Sequence, residues 1–408
     1  MRLLEVILKT VETCNINCSY CYFYVDTSVS ERQITKFNKK IISIDVIEQL
    51  VLFLRNGVKK MKIDLMRIVF HGGEPLLQNK SDFDHMCSTL VNGLSEHVNL
   101  EFGIQTNGIC IHYAWLELFS KYNISPGISL DGPAKYNDMQ RIDFSGRGTH
   151  ERVVKGIRKT QEFVNSGRIK RLSTISVIDA RYSAKEVFDH FARELEIKGM
   201  SFLLPDYNYD TFPAHQEQTG LNIEDYGNFL CELFESWINY DDDSIDIVLF
   251  RQIVMLMMGG KTVLMADTGP VSSCDDGDSL PILTVYHDGR ISPDDTYLTT
   301  DKNINSKNKT LSNSTFEEFT ESDQVKILKE IRRNTPTACL NCSWLKICNG
   351  GASVNRYSSE RGFDNPSIYC SALQMLYKHI ENKLLIDGMI SAPFSAEAPL
   401  SLETYEAT

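Results

Sequence analysis

The chain has no surplus of positive charge: 42 Lys and Arg face 54 Asp and Glu, for a net charge of −12. A nucleic-acid binder needs a basic stripe to displace counterions from phosphates, so that class is excluded. Long apolar runs are missing as well. The greasiest stretch, Ile245 to Met258, is broken by Asp246, Arg251 and Gln252, well short of the ~18 apolar residues that a membrane span requires. An apolar signal-peptide core is also absent, because Glu5, Lys9 and Glu12 interrupt the N-terminal segment. These absences point to a globular cytoplasmic protein with no membrane and no nucleic-acid partner. Its 408 residues, 42% of them hydrophobic, can bury a large core.

Cysteine, by contrast, is abundant, with 11 residues in the chain. In a reducing cytoplasm such thiols stay unpaired, so clustered ones indicate metal or redox chemistry. Two clusters stand near opposite ends: Cys14, Cys18 and Cys21, then Cys339, Cys342 and Cys348 with Cys370 further on. Cys87 and Cys231 fall in helical patterns and read as small buried apolar residues. Cys110 is read as structural too.

The first half alternates strand-like runs with amphipathic helical stretches, the signature of parallel strands joined by crossover helices. Strands are predicted at Leu3–Val11, Leu65–Phe70, Leu100–Gln105, Ser125–Leu130, Leu172–Ile178 and Met200–Leu204. Helices are predicted at Ile44–Val58 with Ser43 as N-cap, Asp82–Leu94, Tyr113–Tyr122, His150–Val164, Ala184–Leu195 and Ile223–Tyr240. Six strands fall short of the eight that close a barrel. The expected fold class is α/β, a partial (β/α)6 TIM-type barrel with an open side, followed by a smaller cysteine-rich domain. The expected divisions are a barrel over 1–240, a bridging segment over 241–265, the cysteine-rich domain over 266–383 and a mobile tail over 384–408. A hairpin is expected within Thr284–Ile291, where Asp288-Gly289 forms the turn.

Three thiolates on one loop after the first strand can hold three irons of a four-iron cluster and leave the fourth open to another ligand. A zinc knuckle lacking its fourth ligand is the alternative reading of that spacing. The surrounding Cys14-Asn-Ile-Asn-Cys-Ser-Tyr-Cys21-Tyr resembles the cluster loop of the radical S-adenosylmethionine (radical SAM) enzymes. Three more segments at successive strand ends extend the resemblance: His71-Gly-Gly-Glu-Pro75, Gln105-Thr-Asn-Gly108 and Ser129-Leu-Asp-Gly-Pro133. It implies S-adenosylmethionine as cofactor, with Gly72, Gly73 and Glu74 near its amine, and Thr106 and Asn107 near its ribose and carboxylate. Ser129 and Arg141 would meet the methionyl carboxylate, although Arg141 reads equally as a surface charge. Tyr20 is placed among the cofactor contacts and His71 on the substrate side.

The second cluster resembles the SPASM extension of peptide- and protein-modifying radical SAM enzymes, with a departure. Two of the expected cysteine positions hold Asp294 and Ala352. The resemblance therefore implies two four-iron clusters, one at Cys14, Cys18 and Cys21 and one auxiliary at Cys339, Cys342, Cys348 and Cys370. Cys274 is left as a lone thiol or the relic of a partial site. A zinc ribbon is the bland alternative for the four later cysteines.

The implied chemistry is hydrogen abstraction by a 5'-deoxyadenosyl radical, with the electron needed for cofactor cleavage coming from a reductase or a flavodoxin or ferredoxin. Asp295 matches the catalytic base of the sulfatase-maturase branch; standing alone it would read as a turn carboxylate. Asn355-Arg-Tyr-Ser358 and Gly362-Phe-Asp-Asn-Pro-Ser-Ile-Tyr-Cys370 resemble the cyclophane-forming (triceptide) peptide maturases, as does the reduced cysteine set. The main expectation is thus a maturase that joins a β-carbon to an aromatic ring in a ribosomally made precursor peptide. The alternative is oxidation of Ser or Cys to formylglycine, or another cross-link such as a thioether or ether. The chain starts on the first strand, so no appended leader-binding domain is expected. An iron–sulfur electron carrier would explain the cysteines but not the segments at the strand ends.

Overall fold

The computed structural model describes residues 2–24, 40–260, 280–301, 304 and 309–394. Six parallel strands follow in chain order: β1 (Leu3–Val11), β2 (Leu65–Gly72), β3 (Asn99–Thr106), β4 (Ile124–Ser129), β5 (Ser173–Val177) and β6 (Gly199–Leu203). Each sequence-predicted strand is recovered to within two residues. A short β7 (Asp246–Ile247) adds to β6 in parallel. The sheet does not close. The free edge of β1 is taken by β8 (Leu283–Val285), which pairs antiparallel with β9 (Arg290–Ser292) and through it with β10 (Lys309–Thr310).

The expected hairpin therefore forms, and it extends the same sheet instead of standing apart from it. Chain on both sides of residue 265 shares this one sheet, and a single hydrophobic cluster runs from Leu4 to Leu384. Residues 261–265, Cys274 and the tail beyond Phe394 lie outside the described residues. Among those described, no helix is long and apolar enough to cross a membrane.

Helices cover the outer face because their apolar positions recur on one side. In Ile44–Met61 the buried stripe is Ile47, Leu50, Val51, Leu54 and Val58, and the Ser43 side chain accepts from the Val46 N–H as N-cap. Each such Leu or Ile contributes roughly 1.5–3 kcal/mol on burial. The predicted helix over Ala184–Leu195 ends early, at Asp189, and continues as a π turn over His190–Glu194. That turn brings His190 Nε2 to 3.0 Å from His150 Nε2. Two shorter helices, Ala134–Gln140 and Phe212–Thr219, carry no strong apolar period and escaped the sequence reading.

The cysteine-rich part docks at places where side chains are absent. A Cβ on Gly57 would stand 2.4 Å from the Phe316 ring. One on Gly227 would stand 2.7 Å from Met375 Sδ, where helix Cys370–Ile386 crosses helix Ile223–Ile238. A polar clamp adds to this contact. Asn355 Nδ2 donates to the carbonyls of Pro205 (3.2 Å) and Tyr207 (2.7 Å), and the Tyr369 hydroxyl donates to Pro205 (3.1 Å). This fixes the segment after β6 against the later chain. Asn355 and Tyr369, two residues of the triceptide-like segments, are thus bound to backbone in the docking contact.

Candidate active site

Parallel α/β folds gather chemistry at the carboxyl ends of their strands, and the quoted segments converge there. Cys14 and Cys18 are buried and Cys21 half-buried on the loop after β1, and all ten cysteines among the described residues are free thiols. The loop is anchored by Asn17 N–H to the Ile142 carbonyl (2.8 Å) and Ser19 N–H to the Gln140 carbonyl (3.2 Å). Burial pushes the Cys14 thiol up, and the Cys18 thiol up to about 11. Protons must therefore leave when a metal takes these sulfurs.

The end of β2 is pressed onto this loop. Gly72 has φ +137, and a Cβ there would lie 2.2 Å from the Val11 carbonyl; on Gly73 it would lie 2.5 Å from the Thr13 carbonyl. Gly73 and Glu74 N–H donate to those same carbonyls at 2.7 and 2.9 Å. The two glycines thus serve a close approach to the backbone leading into Cys14.

The Glu74 carboxylate accepts from Thr106 Oγ1 (2.7 Å), Leu76 N–H (3.0 Å) and Asn107 N–H (2.7 Å). Burial raises its pKa in spite of these donors. Glu74 thus braces the ends of β2 and β3. Asn107 passes the order on, since its Nδ2 lies 2.7 Å from Asn15 Oδ1 and 3.7 Å from Cys14 Sγ. Asn15 Nδ2 in turn lies 3.5 Å from Cys110 Sγ, which brings Cys110 beside the cluster loop. Ser129 Oγ accepts from Gln105 Nε2 at 2.8 Å.

Arg141 is not a surface charge. It is 6% exposed, its Nη1 donates to the Tyr20 hydroxyl at 2.7 Å, and that hydroxyl donates to Asp131. Its Nε is buried without a hydrogen-bond partner. An orphaned guanidinium N–H on an arginine that faces the Cys18 thiol fits an anionic group of a bound cofactor. The role of Asp131 was missed, although it stands two residues after Ser129 in a quoted segment.

A second group of ionisable side chains lies next to the first. Lys9 on β1, fully buried, sits 2.5 Å from Asp295 Oδ2, 3.2 Å from His71 Nδ1 and 3.3 Å from the Tyr22 hydroxyl. Its ammonium also lies 4.9 Å from the centre of the Phe23 ring. Tyr22 donates to Asp295 at 3.1 Å. Burial alone would raise the Asp295 pKa, but Lys9, His71 and the Tyr22 hydroxyl together outweigh it and hold the carboxyl below the usual range. Burial, and then Lys9, depress His71 to about 3, so its ring is neutral at pH 7. With Nδ1 accepting from Gly72 N–H at 2.8 Å, the ring proton sits on Nε2.

Asp206, after β6, belongs here too. Burial and the charges of Asp294 and Asp295 push it up to about 7. Neither Lys9 nor Asp206 was foreseen. The available signal for Lys9 was its charge, one of two with Glu5 in the largely apolar run Leu3–Val11.

The four later cysteines line one pocket, walled by Trp344, Leu345, Pro366 and Leu373. Among the described residues no three His, Cys, Asp or Glu side chains converge on a point where one metal ion would be held. A four-iron cluster asks for something else, because each thiolate takes its own iron and the sulfurs stand further apart than around one zinc. Four cysteines around one apolar cavity fit that group. The two substituted positions are filled differently. Asp294 is ion-paired with Arg332 at 2.9 Å, and Ala352 packs with Tyr297, Leu328 and Val354.

Comparison with known proteins adds three findings. Residues 8–177 match the family model of the Radical SAM superfamily. The chain is 24% identical over 387 residues to the cysteine-type anaerobic sulfatase-maturating enzyme of Clostridium novyi, covering 94% of this chain and 97% of that protein. It is 24% identical over 425 residues to the serine-type enzyme of Bacteroides thetaiotaomicron, covering 98% and 94%. Among solved structures, native anSMEcpe with bound AdoMet superposes with a TM-score of 0.75 at 21% identity, covering 95% of this chain and 99% of that one. The same protein with AdoMet and the Kp18Cys peptide gives 0.73 at 21% identity, covering 95% and 100%. At this identity the superposition establishes the fold.

Proposed function

We propose that this chain, whose residues 8–177 carry the radical SAM enzyme domain, oxidises the β-carbon of a Ser or Cys within a peptide to formylglycine. The observation that carries the reading is Asp295, clamped by buried Lys9 beside the loop of Cys14, Cys18 and Cys21. Support comes from the sulfatase-maturating relatives, matched along nearly the whole of both chains. The main expectation from sequence, a cyclophane maturase, is less well supported.

S-adenosylmethionine on a four-iron cluster held by Cys14, Cys18 and Cys21 supplies a one-electron oxidant able to remove hydrogen from an unactivated carbon. The protein's own residues set the geometry. Arg141, oriented by Tyr20 and Asp131, offers its free Nε–H to the cofactor carboxylate. Glu74 fixes Thr106 and Asn107, and Gly72 and Gly73 seat the cluster loop. Lys9 keeps Asp295 ionised, so the carboxylate is ready to take the substrate proton. Neutral His71 presents Nε2–H as a donor to the peptide. Cys339, Cys342, Cys348 and Cys370 would hold a second four-iron cluster to receive an electron.

One observation favours the cyclophane reading as second. A further auxiliary cluster would need the positions of Asp294 and Ala352, and both are occupied by side chains with other partners.

Tandem mass spectrometry decides between the two. Peptides carrying a Ser near an aromatic residue are incubated anaerobically with the enzyme, S-adenosylmethionine and dithionite. Loss of two hydrogens at the Ser, with ordinary fragmentation and hydrazine reactivity, is expected. Loss of two hydrogens without backbone fragmentation across the aromatic segment would replace formylglycine by the cyclophane. Asp295→Asn is expected to abolish either product while 5'-deoxyadenosine release continues; full product formation by that variant would remove Asp295 from the base role.

A further inference from the structure

Helix Cys370–Ile386 presents Cys370, Gln374 and Tyr377 at spacing i, i+4, i+7, along one face. All three line the cavity shared by Cys339, Cys342 and Cys348. Gln374 Nε2 lies 3.3 Å from Cys370 Sγ. The Tyr377 hydroxyl, wholly buried, is hydrogen-bonded to Cys348 Sγ. Trp344 holds the tyrosine ring in place at 5.6 Å between centroids.

A buried hydroxyl needs a partner, and a neutral thiol is a weak acceptor. A thiolate bound to iron is a much better one, because charge strengthens the hydrogen bond. The Tyr377 hydroxyl is therefore poorly matched to a free thiol and well matched to a cluster ligand. The surrounding wall of Trp344, Leu345, Pro366 and Leu373 works in the opposite sense. An apolar shell disfavours the added negative charge of a reduced cluster, while N–H and O–H donors to its sulfurs favour it.

We propose that Tyr377 and Gln374 are positioning residues that hold the reduction potential of the auxiliary four-iron cluster above the value its apolar pocket would set, by donating to Cys348 and Cys370. This rests on the reading that Cys339, Cys342, Cys348 and Cys370 ligate a cluster. Tyr377 has the larger effect, since its hydroxyl is shielded from water. Gln374 is exposed, and water replaces part of its bond.

The test is an anaerobic redox titration of the reconstituted full chain, followed by electron paramagnetic resonance. Added S-adenosylmethionine marks the signal of the cluster with the open iron and so separates the two. Iron analysis should give about eight irons per chain for the wild type, Tyr377→Phe and Gln374→Met. In Tyr377→Phe the auxiliary midpoint is expected to fall, with about a tenfold lower ratio of reduced to oxidised cluster at fixed poise, or ~59 mV for one electron. Gln374→Met should move it the same way by less. Unchanged or raised midpoints with full iron content overturn the proposal and leave the cluster assignment standing. About four irons in the wild type overturns both. Loss of the auxiliary cluster in both variants would show that the two residues act in assembly, which also overturns it.

Discussion

Lys9 Nζ stands 2.5 Å from Asp295 Oδ2, with side-chain exposures of 0% and 5%, the lysine coming from the first strand and the aspartate from the turn after β9. Neither charge would be tolerable there alone, since water is excluded from both. The pair is completed by Tyr22 and His71, which take up the remaining hydrogen-bonding capacity around it.

Removing one member should therefore be costly. Lys9→Met leaves Asp295 as an uncompensated buried carboxylate and is expected to lower stability by about 3–5 kcal/mol. Lys9→Met combined with Asp295→Leu removes both charges and should recover most of that loss. Urea unfolding of the two single variants and the double variant measures the coupling; additive losses would mean that the pair does not interact in the folded protein.

His71 makes the fold sensitive to acid. Burial and the nearby Lys9 hold its pKa at about 3 in the folded chain, against the ordinary imidazole value of 6.5. As pH falls below 6.5 the unfolded chain gains a proton that the folded chain refuses, so stability drops, and continues to drop until pH nears 3. Between pH 7.5 and 5.5 this amounts to about 1.4 kcal/mol. His71→Gln should remove that part of the pH dependence, read from unfolding midpoints at the two pH values. An equal slope in wild type and variant would place the acid sensitivity elsewhere.

Gly72→Ala tests the seating of the cluster loop. The added Cβ would lie 2.2 Å from the Val11 carbonyl, on backbone whose φ is +137. Neither strain can relax without moving the segment that leads into Cys14. Iron bound at the first cluster is expected to fall by more than half, with the auxiliary iron retained. Full loading of both would show that the loop adapts.

The strands were legible because each is a short apolar run closed by Gly, Pro, Asn or Asp, and the cysteine spacing speaks for itself. Asp295 was singled out in the sequence only through its resemblance to the sulfatase-maturase branch. What brings Asp295 to Lys9 was not legible, because it depends on β8 adding to the edge of β1, a pairing between distant segments that leaves no local pattern. Arg332 and Asp294 are hidden for the same reason. The bracing partners of Glu74 were hidden too, because they are set by which strand ends lie beside it.

Asp206 carries the last consequence of that geometry. Asp294 has Arg332 and Asp295 has Lys9, but the segment after β6 brings a third carboxylate beside them, and its pKa rises from 3.8 to about 7. The folded chain keeps that proton up to about pH 7, whereas the unfolded chain releases it near 3.8. Stability from this group is therefore present at low pH and is lost as pH rises from 4 to 7. Asp206→Asn holds the neutral form permanently. It should be more stable than the wild type at pH 8, by on the order of 1–2 kcal/mol after allowing for the partial exposure of the side chain, and nearly equal to it at pH 3. Urea unfolding at the two pH values checks this. A variant destabilised at pH 8 would mean that the charged Asp206 has a cationic partner in the folded protein.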